Sequence, residues 1–524
     1  MDRPVTKDYL KMPSPYKTLA LLFLIGTGRL LAEATDLSLD DAISAALSNN
    51  LGLRIASIEP ANALDSIEIE EAGFDPSFFG STSYQERRSA ARNSALDDFV
   101  IPQSDSRRAR VGAEKPFSTG ANVTLGSSLS RSTSNNNAAR NPDYASDLGV
   151  SIRQPLLRGA GPTINLAPLA RAKVNAERSL FELRSDVLDL VLETEIAYWN
   201  LAFARADRAL IASSLELAQN LLEENRERER LGLVTRLEVL QAEAEILNQQ
   251  EAIIQADRVI EDAQDTLRRA MGQADFSASI TDSFAVKELP ETIGELRSME
   301  TVVLETLMND DDARAQERRM EVNRINRMLA QDQIQPDLNL TAGVDYLGRD
   351  TSGRVAQRGA LKGDGYDWNV GLEVRLPWGF REARARERQA ARNLEQAELR
   401  LYDIKQQKAL AARNAWRAAN AGLKRIEVTR AAMALNEESF EQERARFSSG
   451  LVAYRNVLEA QRDLDRARSN YLRSVIETLR ASVRLSRVDG SLLERNGLNW
   501  DAVGPYINSS NTRSENTLSL VDKY

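Results

Sequence analysis

Apolar and polar residues alternate strictly in one stretch of the second half of the chain, residues 366–378. Every second position there is apolar and the positions between are small, polar or charged: Trp368, Val370, Leu372, Val374 and Leu376 alternate with Asn369, Gly371, Glu373 and Arg375. A period of two predicts a β-strand with one apolar face and one polar face. The same alternation recurs at residues 338–346 and 148–153, and a fourth strand is indicated near residues 76–84.

Most of the remaining sequence has the periodicity of helices. It predicts six of them, near residues 39–72, 164–230, 236–271, 301–334, 381–447 and 453–486. The two longest would each extend ~100 Å, at ~1.5 Å of rise per residue. Apolar positions along the helix near 236–271 are spaced three and four residues apart, which predicts packing with left-handed supercoiling against a neighbour. Helices of this length are expected to form a bundle or a tube.

The chain also contains an internal repeat. The segment GLVTRLEVLQA, which starts at Gly232, returns as GLVAYRNVLEA, which starts at Gly450. The two copies stay in register without a gap, so that Gly272 in the first corresponds to Gly490 in the second. Prolines stand where each helical pattern meets an alternating one, which is typical of helix–strand joints because proline can neither continue a helix nor donate to a sheet.

This repeat defines the predicted organisation of the chain. In chain order it comprises an export signal at 1–34, a first repeat at 35–272, an equatorial linker at 273–300, a second repeat at 301–490 and a polar tail at 491–524. The first repeat contains a β-hairpin region at 76–155 and a tip turn at 231–235. The second contains a β-hairpin at 337–377 and a tip turn at 448–453.

The N-terminal segment has the character of an export signal. Lysines precede an apolar run, and a small-x-small cleavage site follows it: Lys7, Lys11 and Lys17, the run from Leu19, and Ala32-x-Ala34. Met12 offers an alternative start. No other run approaches the ~20 apolar residues of a membrane-spanning helix, so an exported chain of this kind would meet a membrane through its strands.

The composition narrows the chemistry. The chain contains no cysteine and no histidine, and its 68 basic and 77 acidic residues give a net charge of −9. Disulfides, thiolate nucleophiles, histidine bases and Cys- or His-ligated metals are therefore excluded. The negative charge argues against a nucleic-acid partner, and no glycine-rich phosphate loop is present. We expect no catalytic residues, no metal ligands and no cofactor, and hence a protein that is not an enzyme.

The strands need a partner for their apolar faces, because the adjoining helices use their apolar residues in their own seams. We expect these faces to contact lipid and the opposite faces to contact water in a pore. The reverse arrangement would place a basic residue in hydrocarbon at a cost of ~2–4 kcal/mol. The predicted lumen-facing residues are Asn339, Thr341, Asp345, Asn369, Glu373 and Arg375.

Closure of the sheet requires more than one chain. Backbone groups in lipid must all be paired, and one chain offers about four strands, whereas the smallest barrels have about eight. Three chains would supply twelve. The predicted fold class is mainly α with a membrane β-barrel: a trimeric α-barrel of long coiled-coil helices continued by a β-barrel, with an internal two-fold repeat. Residues 105–131, which alternate around a Ser-Thr-Gly turn, fit either an extracellular hairpin or an added barrel hairpin.

The sequence resembles the TolC-like outer-membrane efflux proteins, including those of type I secretion, over nearly all of the chain after the signal. The matching motifs are LSLDDAISAALSNNLGLRIA, QPLLRG, the two GLV[TA] turns and ARSNYL. The resemblance implies a homotrimeric channel in the outer membrane of a Gram-negative bacterium that extends into the periplasm. It also implies a periplasmic adaptor protein and an inner-membrane pump of the RND or ABC type as partners.

The resemblance also assigns roles to the two tip turns. It implies that they contact the adaptor, at positions Gly232, Leu233, Val234, Thr235, Gly450, Leu451, Val452 and Ala453. Candidates for a periplasmic gate follow or precede the turns: Glu238, Phe447, Asn456 and Glu459. Asn456 stands where an aspartate is common in the family. Each glycine is also accounted for by simple helix termination, and the two glutamates by solvated helix faces.

Two other functions remain open at the level of sequence. An exported coiled-coil spacer or adhesin with a barrel anchor would share the helices and strands but needs no open lumen. A carboxylate enzyme such as a glycosidase would need converging acids, whereas the acids here are dispersed along helix faces. The sequence does not identify the cargo, the adaptor or the pump.

Overall fold

In a computed structural model, the described residues are 35–88, 103–135, 141–273, 284–287, 289–290, 294 and 296–500. The predicted export signal and the part of the predicted tail beyond residue 500 lie outside this range. The helices are α1 (Leu39–Asn49), α2 (Leu51–Ala56), α3 (Ile58–Ala72), α4 (Pro162–Asn165), α5 (Ala167–Arg230), α6 (Arg236–Ala270), α7 (Met299–Asn309), α8 (Asp311–Asp332), α9 (Gly353–Lys362), α10 (Arg381–Ser448), α11 (Tyr454–Asp489) and α12 (Leu492–Arg495). The strands are β1 (Thr35–Leu37), β2 (Ser77–Arg88), β3 (Gln103–Pro116), β4 (Asn122–Ser134), β5 (Asp143–Pro155), β6 (Phe284–Val286), β7 (Asp337–Asp350) and β8 (Gly365–Arg375).

Two of the predicted helices contain a break that a short polar side chain caps. The helix expected at 39–72 breaks at Asn50, whose backbone is extended and whose side chain accepts a hydrogen bond from the amide of Leu53 at 3.1 Å. The helix expected at 301–334 breaks at Asp310, whose carboxylate accepts from the amide of Ala313 at 2.7 Å. Both breaks place a short polar side chain where it caps the following helix, an alternative to the helical ladder that Asn and Asp favour.

Four long helices form two hairpins. α5 packs along α6 and α10 packs along α11, and α5 also contacts α8 and α11. Part of the predicted apolar seam is buried: Val239 and Ala242 on α6 and Val457 on α11 are fully inaccessible to solvent. Gly422 lets α10 approach α11, because a β-carbon there would overlap the side chain of Thr478.

The main sheet has six strands in the order β2-β3-β4-β5-β7-β8, and every neighbouring pair is antiparallel. The described sheet therefore has two strands more than the four that the sequence predicted for the barrel of each chain. The two additional strands are β3 and β4, which include residues 105–131 and are continuous with the sheet. Their alternation is weak in the sequence because the small or polar residues Ala109, Ala113 and Ser127 occupy positions on the apolar face, where large residues would have made the period obvious.

Strand register sorts the side chains onto two faces. Leu148, Val150 and Ile152 of β5 pair with Tyr346, Val344 and Ala342 of β7, and Val344 pairs in turn with Trp368 of β8. The apolar positions of three strands thus share one face, as the alternation predicts. The β3–β4 turn lies at the end of the sheet where the helices begin, because Pro116, Asn122 and Pro155 all lie at that end.

A second sheet, of two strands, packs against α5. β1 and β6 pair in parallel, and the hydroxyl of Tyr198 on α5 donates to the carbonyl of Leu37 and accepts from the amide of Lys287, both at 3.0 Å.

The segment predicted as a polar tail begins inside the hydrophobic core: Leu492 and Leu493 are buried against α1, α5 and α11. The boundary at residue 491 is corrected accordingly, since a leucine pair too apolar for a solvated tail follows it directly.

The segment between β7 and β8 is not a simple hairpin loop. It contains α9, which packs on β7 and β5. Among the described residues, no helix combines the length and the apolar character needed to cross a membrane.

Candidate functional site

The tip turns end the two long helices in the same way. Gly232 has φ 74° and Gly450 has φ 73°, in the left-handed region. The amide of Leu233 donates to the carbonyl of Arg228, and the amide of Leu451 donates to the carbonyl of Arg446, both at 2.9 Å. This is the hydrogen-bond pattern of a Schellman cap. A β-carbon at either glycine would meet no atom within 4 Å, so backbone conformation alone requires glycine there.

The residues that follow the glycines divide between solvent and core. Leu233 and Leu451 are 69% and 72% exposed, whereas Val234 and Val452 pack against the hydrophobic core of the tips. Thr235 and Ala453 are exposed at the starts of α6 and α11. Each turn therefore presents a leucine to its surroundings at equivalent positions of the two hairpins, and the first turn also exposes Leu231, which is 73% accessible.

The two tips are joined to each other by Arg228. Its guanidinium donates to the carbonyls of Phe447 and Ser448 at 2.9 and 3.2 Å, and its central carbon lies 4.3 Å from the centroid of the Phe447 ring. A carboxylate oxygen of Glu224, one turn earlier, lies 2.9 Å from the Arg228 guanidinium. Arg228 thus gives a partner to the Ser448 carbonyl at the end of α10 and a second partner to the Phe447 carbonyl, which also accepts from the amide of Gly450 at 2.9 Å. No motif in the sequence singled out this residue.

The four gate candidates occupy different environments. Phe447 is 3% exposed and lies 5.9 Å from the ring of Tyr454, so it packs inside the tip. Glu238 accepts a hydrogen bond from the amide of Thr235 at 2.7 Å and so stabilises the start of its own helix. Asn456 and Glu459 are exposed on α11. The structure brings Phe447 and Tyr454 together, and the gating role of all four residues stays a prediction.

A buried polar layer lies above the tips. Glu245 of α6 is 4% exposed and accepts from Arg462 of α11 at 2.7 Å. Burial, together with the charge of Glu245, raises the pKa of Tyr454 to about 12. Asp465 accepts from Ser214 at 2.6 Å, and burial raises the pKa of its carboxyl group. These contacts tie α11 to both helices of the first hairpin.

The predicted lumen residues share one face of the sheet. Asn339 pairs with Glu373 and Thr341 pairs with Gly371, while Asp345 and Asn369 occupy the same face further along. Glu373 lies 3.8 Å from Arg153 of β5 and 3.3 Å from Arg375. The face that sequence reasoning called polar is thus lined by charges of both signs across three strands.

The opposite face is apolar and open. Trp368, Val370 and Leu372 of β8 are 64%, 65% and 66% exposed. Trp378, just beyond this strand, is fully exposed at the end of the sheet that adjoins the helices. Nothing else in the described chain covers this part of β8, and the exposed patch is continuous with Val344 of β7.

The described residues contain no group of three or more Asp and Glu side chains placed to hold a metal ion. The two candidate functional features are a two-faced sheet and two capped tips about one long helix away from it.

A sheet with an open apolar face, continued by helical hairpins of about 100 Å, is the architecture of an outer-membrane channel subunit. The chain belongs to the outer membrane efflux protein family, whose model matches residues 121–273 and 302–491, more than half of the sequence. This membership places the protein in the outer membrane of a Gram-negative bacterium, from which it extends into the periplasm, and makes it a transport protein of the TolC-like type. Its relatives are channels and not enzymes.

Solved structures agree in fold. The Campylobacter jejuni CmeC outer membrane channel superposes with a TM-score of 0.63 at 16% identity, covering 93% of this chain and 88% of that one. VceC of Vibrio cholerae superposes with a TM-score of 0.63 at 18% identity, covering 86% of this chain and 96% of that one. The open state of the Neisseria gonorrhoeae MtrE channel superposes with a TM-score of 0.62 at 17% identity, covering 93% of this chain and 99% of that one. No curated protein sequence matches the chain significantly.

Proposed function

We propose that three copies of this chain form a water-filled exit duct that carries small molecules or proteins from the periplasm or cytoplasm across the outer membrane. The observation that carries the proposal is the six-stranded sheet. One face is charged, the other is apolar and exposed, and the outer edges of β2 and β8 have no partner among the described residues. Unpaired edges are not tolerated in hydrocarbon, so the sheet must be completed by further copies.

The strand count sets the width of the barrel. Three chains of six strands supply eighteen strands rather than twelve. With strands ~4.8 Å apart and tilted by ~40°, eighteen strands enclose a backbone cylinder of ~36 Å, whereas twelve enclose ~24 Å. The edge of β2 would pair with the edge of β8 in the next copy. The internal two-fold repeat then gives the helical part a six-fold pseudo-symmetry.

The polar face is assigned to the lumen. Asn339, Thr341, Asp345, Asn369, Glu373 and Arg375 would line it, with Arg153 alongside. This assignment leaves the aliphatic side chains of β5, β7 and β8 in lipid. The opposite assignment would put Arg153, Glu373 and Arg375 in hydrocarbon, at ~2–4 kcal/mol for a basic residue near the midplane.

The tips are assigned to an adaptor and to closure of the duct. Leu233 and Leu451 are exposed at equivalent positions, and exposed leucines next to a fixed cap make a rigid apolar contact for a periplasmic adaptor. The adaptor would connect the duct to an inner-membrane pump of the RND or ABC type. The duct itself supplies no energy: adaptor contact would separate the tips, and substrates, whether small molecules or proteins, would diffuse through.

The assignment of Leu233 and Leu451 can be tested by export. A Leu233→Glu/Leu451→Glu variant should assemble in the outer membrane and lose export, because charges replace the apolar contact. Leu435→Glu on α10, an equally exposed leucine (68%) away from the tips, is the matched control and should export normally. Equal export by both variants would refute the tip assignment.

Channel formation is tested separately in planar bilayers. The purified trimer should give single-channel currents, and opening the tips should raise them. A trimer that never conducts, even after the tips are disrupted, would instead support an exported spacer or adhesin.

A further inference from the structure

α9 lies on the apolar face of the sheet, at the end of the strands remote from the helices. It leaves β7 after Asp350 and returns to β8 at Gly365. Gly348 pairs with Ser146 and so shares the face of Leu148 and Tyr346. A β-carbon on Gly348 would overlap the backbone of Ala356 and Ala360, so the helix is seated directly on this strand.

The helix divides sharply into an inner and an outer surface. Ala356, Gly359 and Ala360 are buried against the strand. The outward positions carry three cations and two apolar side chains: Arg354, Val355, Arg358, Leu361 and Lys362, with Val355 50% and Leu361 69% exposed. A short helix with basic and apolar residues on its free surface is typical of one that lies in a membrane interface.

Two strand arginines extend this basic surface. Arg107 of β3 pairs directly with Arg131 of β4, and Arg131 pairs with Tyr144 of β5. A β-carbon on Gly353, the first residue of α9, would lie 3.2 Å from the Tyr144 ring. Like charges directly opposite each other on a sheet are destabilising. Among the described residues, these two arginines and the three cations of α9 form no ion pair.

Three acidic groups on the same face accept hydrogen bonds from neutral donors. The carboxylate of Glu86 accepts from Gln103 at 2.9 Å, that of Asp105 accepts from Thr133, and that of Asp350 accepts from the amide of Ser352 at 3.0 Å. No acidic side chain in the described part of the chain lies within ion-pair distance of these five cations, so they can contact an external anion.

The position of this basic surface relative to the membrane identifies the source of the anion. Tyr346 pairs with Tyr366, and both are exposed on the apolar face. Tyrosines of this kind form the girdle between hydrocarbon and headgroups. Gly348, on which α9 is seated, comes two residues after Tyr346, so the cations lie just outside the hydrocarbon on the side away from the periplasm.

We propose that α9, together with Arg107 and Arg131, binds the phosphate groups of the glycolipid in the outer leaflet of the outer membrane. The basic side chains contact the phosphates, and Val355 and Leu361 enter the upper acyl region. The inference uses the proposed function only for the direction of the two sheet faces. A basic residue next to a charged membrane surface contributes about a fivefold change in affinity.

The test compares lipid binding by three full-length proteins in non-ionic detergent, freed of endogenous lipid. They are the wild type, an Arg354→Gln/Arg358→Gln/Lys362→Gln variant, and an Arg413→Gln/Arg417→Gln/Lys424→Gln control. The control removes two arginines and one lysine from exposed positions of α10, remote from the membrane. The probes are fluorescent bis-phosphorylated lipid A, phosphatidylcholine and inorganic phosphate.

The wild type and the control should bind lipid A equally, and the α9 variant should bind it roughly 100-fold more weakly. Binding should weaken with added salt, and phosphatidylcholine should bind poorly to all three. Equal lipid A binding by the α9 variant and the control would overturn the proposal. So would inorganic phosphate competing with lipid A at equal concentration, because the site would then recognise phosphate without the lipid.

If the α9 variant fails to assemble, an Arg107→Gln/Arg131→Gln variant takes its place, with a weaker affinity again expected and unchanged affinity again decisive against the proposal. Bilayer conductance is measured on the same preparations. Normal conductance with unaltered lipid binding would reject the lipid site alone, whereas absent conductance in the wild type would reject the proposed duct alone.

Discussion

The guanidinium of Arg228 lies over the ring of Phe447, 4.3 Å from its centroid, and donates to the Phe447 carbonyl oxygen at 2.9 Å. One residue near the end of the first long helix thus binds both the side chain and the backbone at the end of the second. The two helical hairpins are far apart in sequence, and this contact makes their tips one unit.

We expect Arg228→Ala to loosen the tips. The change removes two charge-assisted hydrogen bonds, worth about 1.5–3 kcal/mol each, and a cation–π contact. The variant trimer should show a larger resting conductance in planar bilayers than the wild type. Arg230→Ala is the control, because Arg230 is mostly exposed and contacts Glu227 of its own helix. A resting current no greater than that of the control would show that Arg228 does not keep the duct closed.

Adjacent aspartates at the start of α8 should respond to neutralisation in opposite directions. Burial raises the pKa of Asp311, against the opposing effect of Arg184. Burial also acts to raise the pKa of Asp312, but its hydrogen bond and charge interaction with Lys408 contribute to a net lowering. The ionised form of Asp311 is therefore disfavoured by folding, and that of Asp312 is favoured.

Asp311→Asn should accordingly raise the melting temperature at pH 7, and Asp312→Asn should lower it. The stability from Asp312 is present above its unfolded pKa, near 3.9, and is lost as the pH falls through the lower folded value. The cost from Asp311 disappears as the pH falls through its raised folded value. Circular dichroism melting curves between pH 7 and pH 3 would measure both trends. Shifts of the same sign for the two variants at pH 7 would contradict this assignment.

Removal of the β3–β4 hairpin should narrow the barrel. Residues 103–134 leave and return at the same end of the sheet, and β2 and β5 keep the same alternation of faces, as Phe78 and Val150 lie on one face. A deletion of 103–134 should therefore leave a closed trimer with twelve strands. Its membrane pore should exclude smaller polyethylene glycols than that of the full chain, in line with a change from ~36 to ~24 Å. An unchanged exclusion size would place the hairpin outside the barrel wall.

Gln461 should be replaceable with a gain in stability. It is 1% exposed on α11, and neither polar atom of its amide has a hydrogen-bond partner within the described structure. A buried amide without partners costs about 1–3 kcal/mol, so Gln461→Met should raise the free energy of unfolding by a similar amount. Gln389→Met on the exposed face of α10 should change it by less than about 0.5 kcal/mol. Destabilisation by Gln461→Met would indicate that the amide is satisfied within the trimer.

The sequence by itself determined the elements that repeat locally. Period-two alternation predicted the strands β5, β7 and β8 and the sorting of their side chains, and helical periodicity together with the internal repeat predicted α5, α6, α10 and α11 with ends close to those observed. The capped tips followed from glycine, which has no β-carbon to oppose a positive φ. These features depend on residues that are neighbours along one helix or one strand.

Tertiary structure decided the rest, because it depends on residues distant in sequence. The strands β3 and β4, whose alternation is interrupted by small and polar residues such as Ala109 and Ser127, are fixed by pairing with β2 and β5. Leu492 and Leu493 are drawn into the core by α1 and α5, and the break at Asn50 is held by its hydrogen bond to the carbonyl of Ala270. Arg228 and Phe447 meet only because the two hairpins pack side by side, a contact that no local pattern encodes.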